Sequence, residues 1–129
     1  MIEKWNKKVH ARDEVVILGD LSLGNGKETN EILCRLKGRL YLIRGNHDER
    51  YLRDKDFDVS RFEWVKDYAE IHDNRRKIVL MHYPVFCYNG QFRRGADGTP
   101  LTYMLHGHIH KSEDQVWWIN LRRNQSHDA

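Results

Sequence analysis

This chain of 129 residues has little that would tie it to a membrane or to an oxidising compartment. Its longest uninterrupted aliphatic run is Val15-Val16-Ile17-Leu18, far short of the roughly 20 apolar residues that span a bilayer. The opening stretch Met-Ile-Glu-Lys-Trp-Asn-Lys-Lys has no apolar segment of the kind that marks a secretory leader. There are two cysteines, Cys34 and Cys87, without a Cys-x-x-Cys spacing. Two reduced thiols in a cytoplasmic protein are the plain reading, with a disulfide between them left open. No internal repeat and no low-complexity tract occurs. The formal charge of +3 tolerates an anionic substrate but is too small to argue nucleic-acid binding by itself. The length fits one domain, expected over residues 1–121, followed by a polar tail over 122–129.

What the chain does have is eight histidines and a run of short apolar segments that end in polar groups. Ile2, Trp5 and Val9 share one face of a short helix. Glu14–Leu18 reads as a buried strand ending at Gly19-Asp20. Lys27–Lys37 reads as a helix with Ile32, Leu33 and Leu36 inward and Cys34 as filler on that face, closed by Gly38. Leu40–Ile43 is a second strand, which completes a βαβ unit with parallel strands. Residues 62–71 alternate poorly and predict one short strand; 72–75 read as a turn. Lys77–Met81 is a third clear strand. Residues 83–101 read as a long polar loop around one helical turn, Tyr103–Leu105 leads into a histidine cluster, and Val116–Leu121 is the last strand. On that strand, adjacent Trp117 and Trp118 would face opposite sides.

The strand ends carry the chemistry: Gly19-Asp20, then Gly45-Asn46-His47-Asp48, then Met81-His82, then His106-Gly107-His108-Ile109-His110. In an open α/β sheet, sites form beyond the carboxyl ends of the strands, so groups far apart in sequence can converge there. A carboxylate, an amide oxygen and neutral imidazoles make a mixed oxygen and nitrogen shell. Such a shell suits Mn, Fe, Zn or Ni better than Mg or Ca. Taken singly, each motif has a bland reading: Gly-Asp as a turn, Asn-His-Asp as a helix cap, His82 as a structural histidine.

In this order the motifs resemble those of the calcineurin-like metallophosphoesterases, small phage and bacterial members included. The resemblance covers residues 1–110. It implies an α/β four-layer sandwich, α/β/β/α, with two mixed sheets, and metal-dependent hydrolysis of a phosphomonoester or phosphodiester by metal-bound hydroxide. It further implies that Asp20 bridges two ions, that Asn46, His82 and His108 complete one metal site, and that His110 belongs to the other. His47 would protonate the leaving group, with Asp48 orienting its ring; His106 matches a residue that is not a ligand.

The family opens with a strand ending in Asp-x-His, and no Asp-x-His precedes Asp20. Asp13 lies before the strand and His10 on the predicted helix. The expectation is therefore an N-terminally truncated fold with one complete metal site and one half-built. A bare strand edge open to self-association follows from the same absence. A non-catalytic metal-binding or regulatory remnant is the alternative. The partner expected is a phosphoester, with a nucleotide or nucleic acid open. Arg93 and Arg94, and likewise Arg44 and Arg50, fit either a phosphate contact or a solvated loop. The tryptophans fit core packing better than base stacking.

Overall fold

A computed structural model describes residues 1–73, 75–107, 116–121 and 125–128, the last four as backbone. The elements are α1 (Ile2–Lys8), β1 (Glu14–Ile17), α2 (Gly26–Arg35), β2 (Arg39–Ile43), α3 (Glu49–Leu52), β3 (Phe62–Lys66), β4 (Tyr68–Asp73), β5 (Arg76–Met81), β6 (Thr102–Leu105), β7 (Trp117–Asn120) and β8 (Gln125–Asp128). His108 and His110 lie outside the described residues.

Two mixed sheets form, one ordered β3-β2-β1-β7-β8 and one ordered β4-β5-β6. The predicted βαβ unit is present: β1 and β2 run parallel, with Val15 beside Leu40 and Ile17 beside Leu42. The helix between them starts at a capping box, in which Asn25 accepts from the Glu28 amide and Glu28 reaches back to Asn25. That pairing satisfies two of the donors a helix start leaves unbonded. The end of α2 is closed by α1: Asn6 donates to the Arg35 carbonyl and Trp5 Nε1 to the Lys37 carbonyl. Gly38 turns the chain into β2 at φ +99°, a conformation that glycine adopts without strain.

β1 is apolar on both sides because both sides are covered. Val15 and Ile17 join one core with Trp5, Leu33, Leu40, Tyr51 and Trp118, beneath the three helices. Val16 and Leu18 join a second core with Ile43, Ile78 and Leu80, between the two sheets. Trp118 is buried 4.5 Å from the Trp5 ring, while Trp117 packs on the second core, the opposed facing that the sequence predicts.

Several expectations change. Residues 62–73 hold two strands, and these belong to different sheets. β5 pairs with β4 and β6 in the second sheet. Cys34 is exposed. The edge of β1 expected to be bare is filled by β7, antiparallel, with Val16 opposite Ile119; that pairing removes the stated reason for self-association. Within the polar stretch after residue 121, Gln125–Asp128 pairs with β7 as β8. Among the described residues no helix covers the outer face of the second sheet. There the loop of residues 83–101, without its expected helical turn, crosses buried Lys77, Val79 and Thr102. It is held by Asn89 donating to Glu70, which is paired with Lys77 at 2.5 Å, and by Gly90 tight against Thr102.

Candidate metal centre

β1 and β2 are parallel, so Gly19-Asp20 and Gly45-Asn46-His47-Asp48 leave the first sheet at the same end. β5 delivers His82 to that point from the second sheet. The centre therefore lies at the seam between the sheets.

The two loops approach too closely for side chains at their glycines. A Cβ on Gly19 would overlap His82 Nδ1, and one on Gly45 would overlap Asp20 Oδ1 and lie 3.0 Å from His82 Cε1. Gly19 and Asp20 both take positive φ, +95° and +54°. For Asp20 that is an uncommon conformation, held here by its neighbours. Asp48 is the principal one. Fully buried, it accepts from the amides of Gly45 (2.6 Å), Asp20 (2.8 Å) and Leu21 (3.0 Å) and from the Tyr51 hydroxyl (2.5 Å). Burial pushes its carboxyl pKa up, against those hydrogen bonds, which favour the ionised form. Burial also raises the Tyr51 phenol, and the Asp48 charge adds to it.

His82 is 1% exposed. Its Nδ1 lies 2.8 Å from the Leu18 carbonyl oxygen. A carbonyl can only accept, so Nδ1 carries the proton, and Nε2 in the neutral ring is a lone pair. That lone pair faces Asp20 Oδ2 at 3.2 Å and Asn46 Oδ1 at 3.0 Å. Three electron-pair donors thus face one another, an arrangement that a cation between them would favour. A proton on His82 is one such cation. Burial opposes the charge, but the hydrogen bonds to Asp20 and the Leu18 carbonyl and the nearby carboxylates outweigh it and raise the pKa. Asp20 responds in the other direction: desolvation would raise its pKa, yet His82 and the His47 amide bring it down to about 2. A divalent ion meets the same electrostatic demand. Moreover, a ligating histidine commonly donates its other ring N–H to a backbone carbonyl, as His82 does here.

Asp20, Asn46 and His82 thus come together. His47 sits beside them, its amide donating to Asp20 Oδ1 at 2.9 Å and its side chain exposed. No cluster of three or more His, Cys, Asp or Glu able to hold an ion occurs among the described residues; the third donor here is an amide. The chain reaches the histidine cluster at Gly107, whose amide donates to the His82 carbonyl. A Cβ on Gly107 would overlap the Leu18 carbonyl oxygen. His106 Nδ1 is buried with no hydrogen-bond partner among the described residues.

Other candidates fall away from the centre. Asp13 is buried where β1 begins, accepting from the His10 amide and Asn120. Arg44 makes two hydrogen bonds to Asp67, 2.8 Å each, and Arg50 donates to the Leu23 carbonyl. Sequence reasoning missed Tyr51, the Leu18 carbonyl and Tyr83, whose ring meets His82 edge-on at 4.9 Å. Only Tyr51 had a local signal, standing three residues after Asp48.

A family model for the calcineurin-like phosphoesterase superfamily domain matches residues 1–121. An uncharacterized protein of Methanocaldococcus jannaschii is 32% identical over 126 residues, 95% of this chain and 59% of that protein. The gene 66 protein of Mycobacterium phage D29 is 32% identical over 133 residues, 85% of this chain and 64% of that one. The crystal structure of a protein of unknown function from Aquifex aeolicus matches with a TM-score of 0.58 at 23% identity, over 86% of this chain and 63% of its own; at that identity the likeness concerns the fold alone. This chain therefore spans 59–64% of the length of these relatives. By its matched span and its two-sheet fold, the chain belongs to the calcineurin-like phosphoesterase superfamily.

Proposed function

We propose that this chain hydrolyses a phosphomonoester or phosphodiester at a divalent-metal centre built on Asp20, Asn46 and His82. One observation carries the reading: the inward-facing donors Asp20 Oδ2, Asn46 Oδ1 and His82 Nε2, with the opposite ring nitrogen of His82 fixed on the Leu18 carbonyl. The family resemblance adds His108 to this set and His110, with Asp20, to a neighbouring position. The contact of Gly107 with Leu18 supports the first of these, since His108 is the next residue. The mixed oxygen and nitrogen donors favour Mn, Fe, Zn or Ni. When bound, such ions supply Lewis acidity that activates water and neutralises phosphoryl oxygens.

His47 is assigned proton transfer to the leaving-group oxygen. Its amide is anchored on Asp20 and its side chain is open to solvent. Asp48 is assigned a different part from the one expected of it. With both oxygens accepting from Gly45, Asp20, Leu21 and Tyr51, it acts as a positioning residue for the two loops and not as a partner of the His47 ring.

A second reading, non-catalytic metal binding or regulatory use, takes the same three donors and differs in having no turnover. The test is metal analysis after dialysis against Mn²⁺, with rates on an activated aryl phosphodiester. The expected result is one tightly held ion per chain and metal-dependent turnover. Asp20→Ala should remove the ion and lower the rate at least 10²–10³-fold, on the order of what a lost transition-state contact costs. No turnover by this chain, and none gained when an Asp-x-His strand is supplied, would leave only the regulatory reading.

A further inference from the structure

The aromatic side chains of this chain divide sharply. Trp5, Trp118, Tyr51 and Phe62 are buried in the core. By contrast, one loop beginning directly after His82 holds Tyr83, Phe86 and Phe92 at 40%, 93% and 83% exposure. The last two present almost their whole surface to water.

The loop is not a loose strand of chain. Gln91 Nε2 donates to the Phe86 carbonyl and so closes the turn between the two phenylalanines. Arg94 bridges to Pro100, and Asn89 ties the loop to Glu70 on the second sheet. Asn89 and Gln91 anchor it, while Phe86 and Phe92 face out.

Two features point to what covers them. Tyr83 touches a residue of the metal centre itself, its ring edge-on to His82 at 4.9 Å. Phe86 is four residues from His82, so chain reach alone keeps its Cα within about 14 Å of the histidine's. The same loop carries Arg93 and Arg94, both exposed and neither paired with a carboxylate among the described residues; Arg94 Nη1 donates to the Arg93 and Gln91 carbonyls. The two arginines sit where β5 and β6 begin, about 16 Å along the sheet from His82; aromatic faces and cations spread over that distance fit an extended anion that carries flat rings.

Resting on the proposed function, we infer that the substrate is a nucleotide phosphodiester of a single strand. Its bases stack on Tyr83, Phe86 and Phe92 and its flanking phosphates meet Arg93 and Arg94. Stacking of one base on one aromatic ring is worth about tenfold in affinity. It is tolerant of sequence because every base has a π-face.

The test separates binding from chemistry. Binding of a short fluorescent single-stranded oligonucleotide is measured by anisotropy with metal-free protein, at low and moderate salt. Phe86→Ala with Phe92→Ala should weaken binding at least tenfold. Arg93→Gln with Arg94→Gln should weaken it and flatten its salt dependence. Val59→Ala, an exposed apolar position outside the loop, should change nothing. In parallel, turnover of the oligonucleotide is compared with that of a dialkyl phosphodiester in the presence of Mn²⁺.

Equal binding by parent and phenylalanine variant overturns the inference, whatever the rates. So does a parent dimer that the phenylalanine variant converts to monomer with no effect on the oligonucleotide. Oligonucleotide binding lost in the variants, without hydrolysis of either ester, supports the inference and overturns the proposed hydrolase.

Discussion

Asp48 accepts four hydrogen bonds with none of its surface in water, whereas Phe86 keeps 93% of its own exposed. The two residues stand for the proposed metal centre and for the loop that follows His82. Around Asp48, two strand-end loops are pressed together until neither Gly19 nor Gly45 has room for a Cβ. Around Phe86, a loop is tied to the second sheet at a few points and turns its apolar groups outward. A metal shell needs donors held to within a fraction of an ångström, and dense backbone hydrogen bonding supplies that. A surface that receives an extended ligand needs accessible faces, which a packed loop could not offer.

The largest effect should come from breaking the packed half at its hub. Asp48→Ala strands the buried amides of Gly45 and Leu21, the half-buried amide of Asp20 and the Tyr51 hydroxyl, and should cost about 3–5 kcal/mol of stability. Tyr51→Phe, which removes one of the four bonds, should cost about 1–2 kcal/mol. Urea denaturation of both variants measures this; a loss under about 1 kcal/mol for Asp48→Ala would mean that water replaces the carboxylate and that the hub is not needed.

Gly45→Ala should fold but bind metal poorly. Its methyl would push on Asp20 Oδ1 and approach His82 Cε1. A displaced ligand shell typically loses about 10- to 100-fold in affinity. Calorimetric titration with Mn²⁺ reads the shift, and parent-like affinity would show that the loops can part without cost.

Acidity should act on the packed half in two opposed ways. His82 has a raised pKa in the metal-free fold, so its contribution to stability is fully present below about 6.5 and is lost as pH rises through the raised value. Asp20 is depressed to about 2, so its contribution is present above about 3.9 and is lost as pH falls through about 2. The pair therefore stabilises the metal-free protein most between about pH 4 and 6.5. Metal affinity should run the other way, since each ion displaces the His82 proton: about tenfold weaker per unit of pH below the raised value. Mn²⁺ titrations in buffers of different ionisation enthalpy should detect that proton; affinity independent of pH would remove His82 from the ligand set.

The smallest effect is expected on the open half. Phe86→Ala should alter stability by less than about 0.5 kcal/mol, because the side chain leaves water no more in the fold than out of it. A thermal melt decides this, and a clear loss would mean that Phe86 is packed in solution.

The order of the motifs was readable because each consists of residue types with narrow chemistry at the end of an apolar run. Strands β1, β2 and β5 were readable for the same reason: Val15–Ile17, Leu40–Ile43 and Ile78–Leu80 are apolar on both faces, as doubly covered strands must be. Strands β3 and β4 were not. β3 is an edge strand with one half-buried face and alternates poorly; β4 alternates, with Ala69 and Ile71 inward and Tyr68, Glu70 and His72 outward, but it follows β3 after a single residue, so the two run together as one segment in the sequence. Cys34 was placed inward by helical spacing, but α2 covers the sheet mainly through Leu33, Thr29 and the residues at its ends.

By itself the sequence determined the chemical inventory: which donors exist, which glycines precede them, and that β1 and β2 are parallel neighbours through a helix. These are local matters of residue type, spacing and turn chemistry. Only the tertiary structure decided that His82 arrives from a separate sheet, that Asp48 braces two loops 28 residues apart, and that β7 closes the edge of β1. Each depends on which elements pack together, and a strand's side-chain period is the same whichever neighbour it pairs with. The direction of the His82 lone pair belongs with them, since it is set by a carbonyl 64 residues away in the chain.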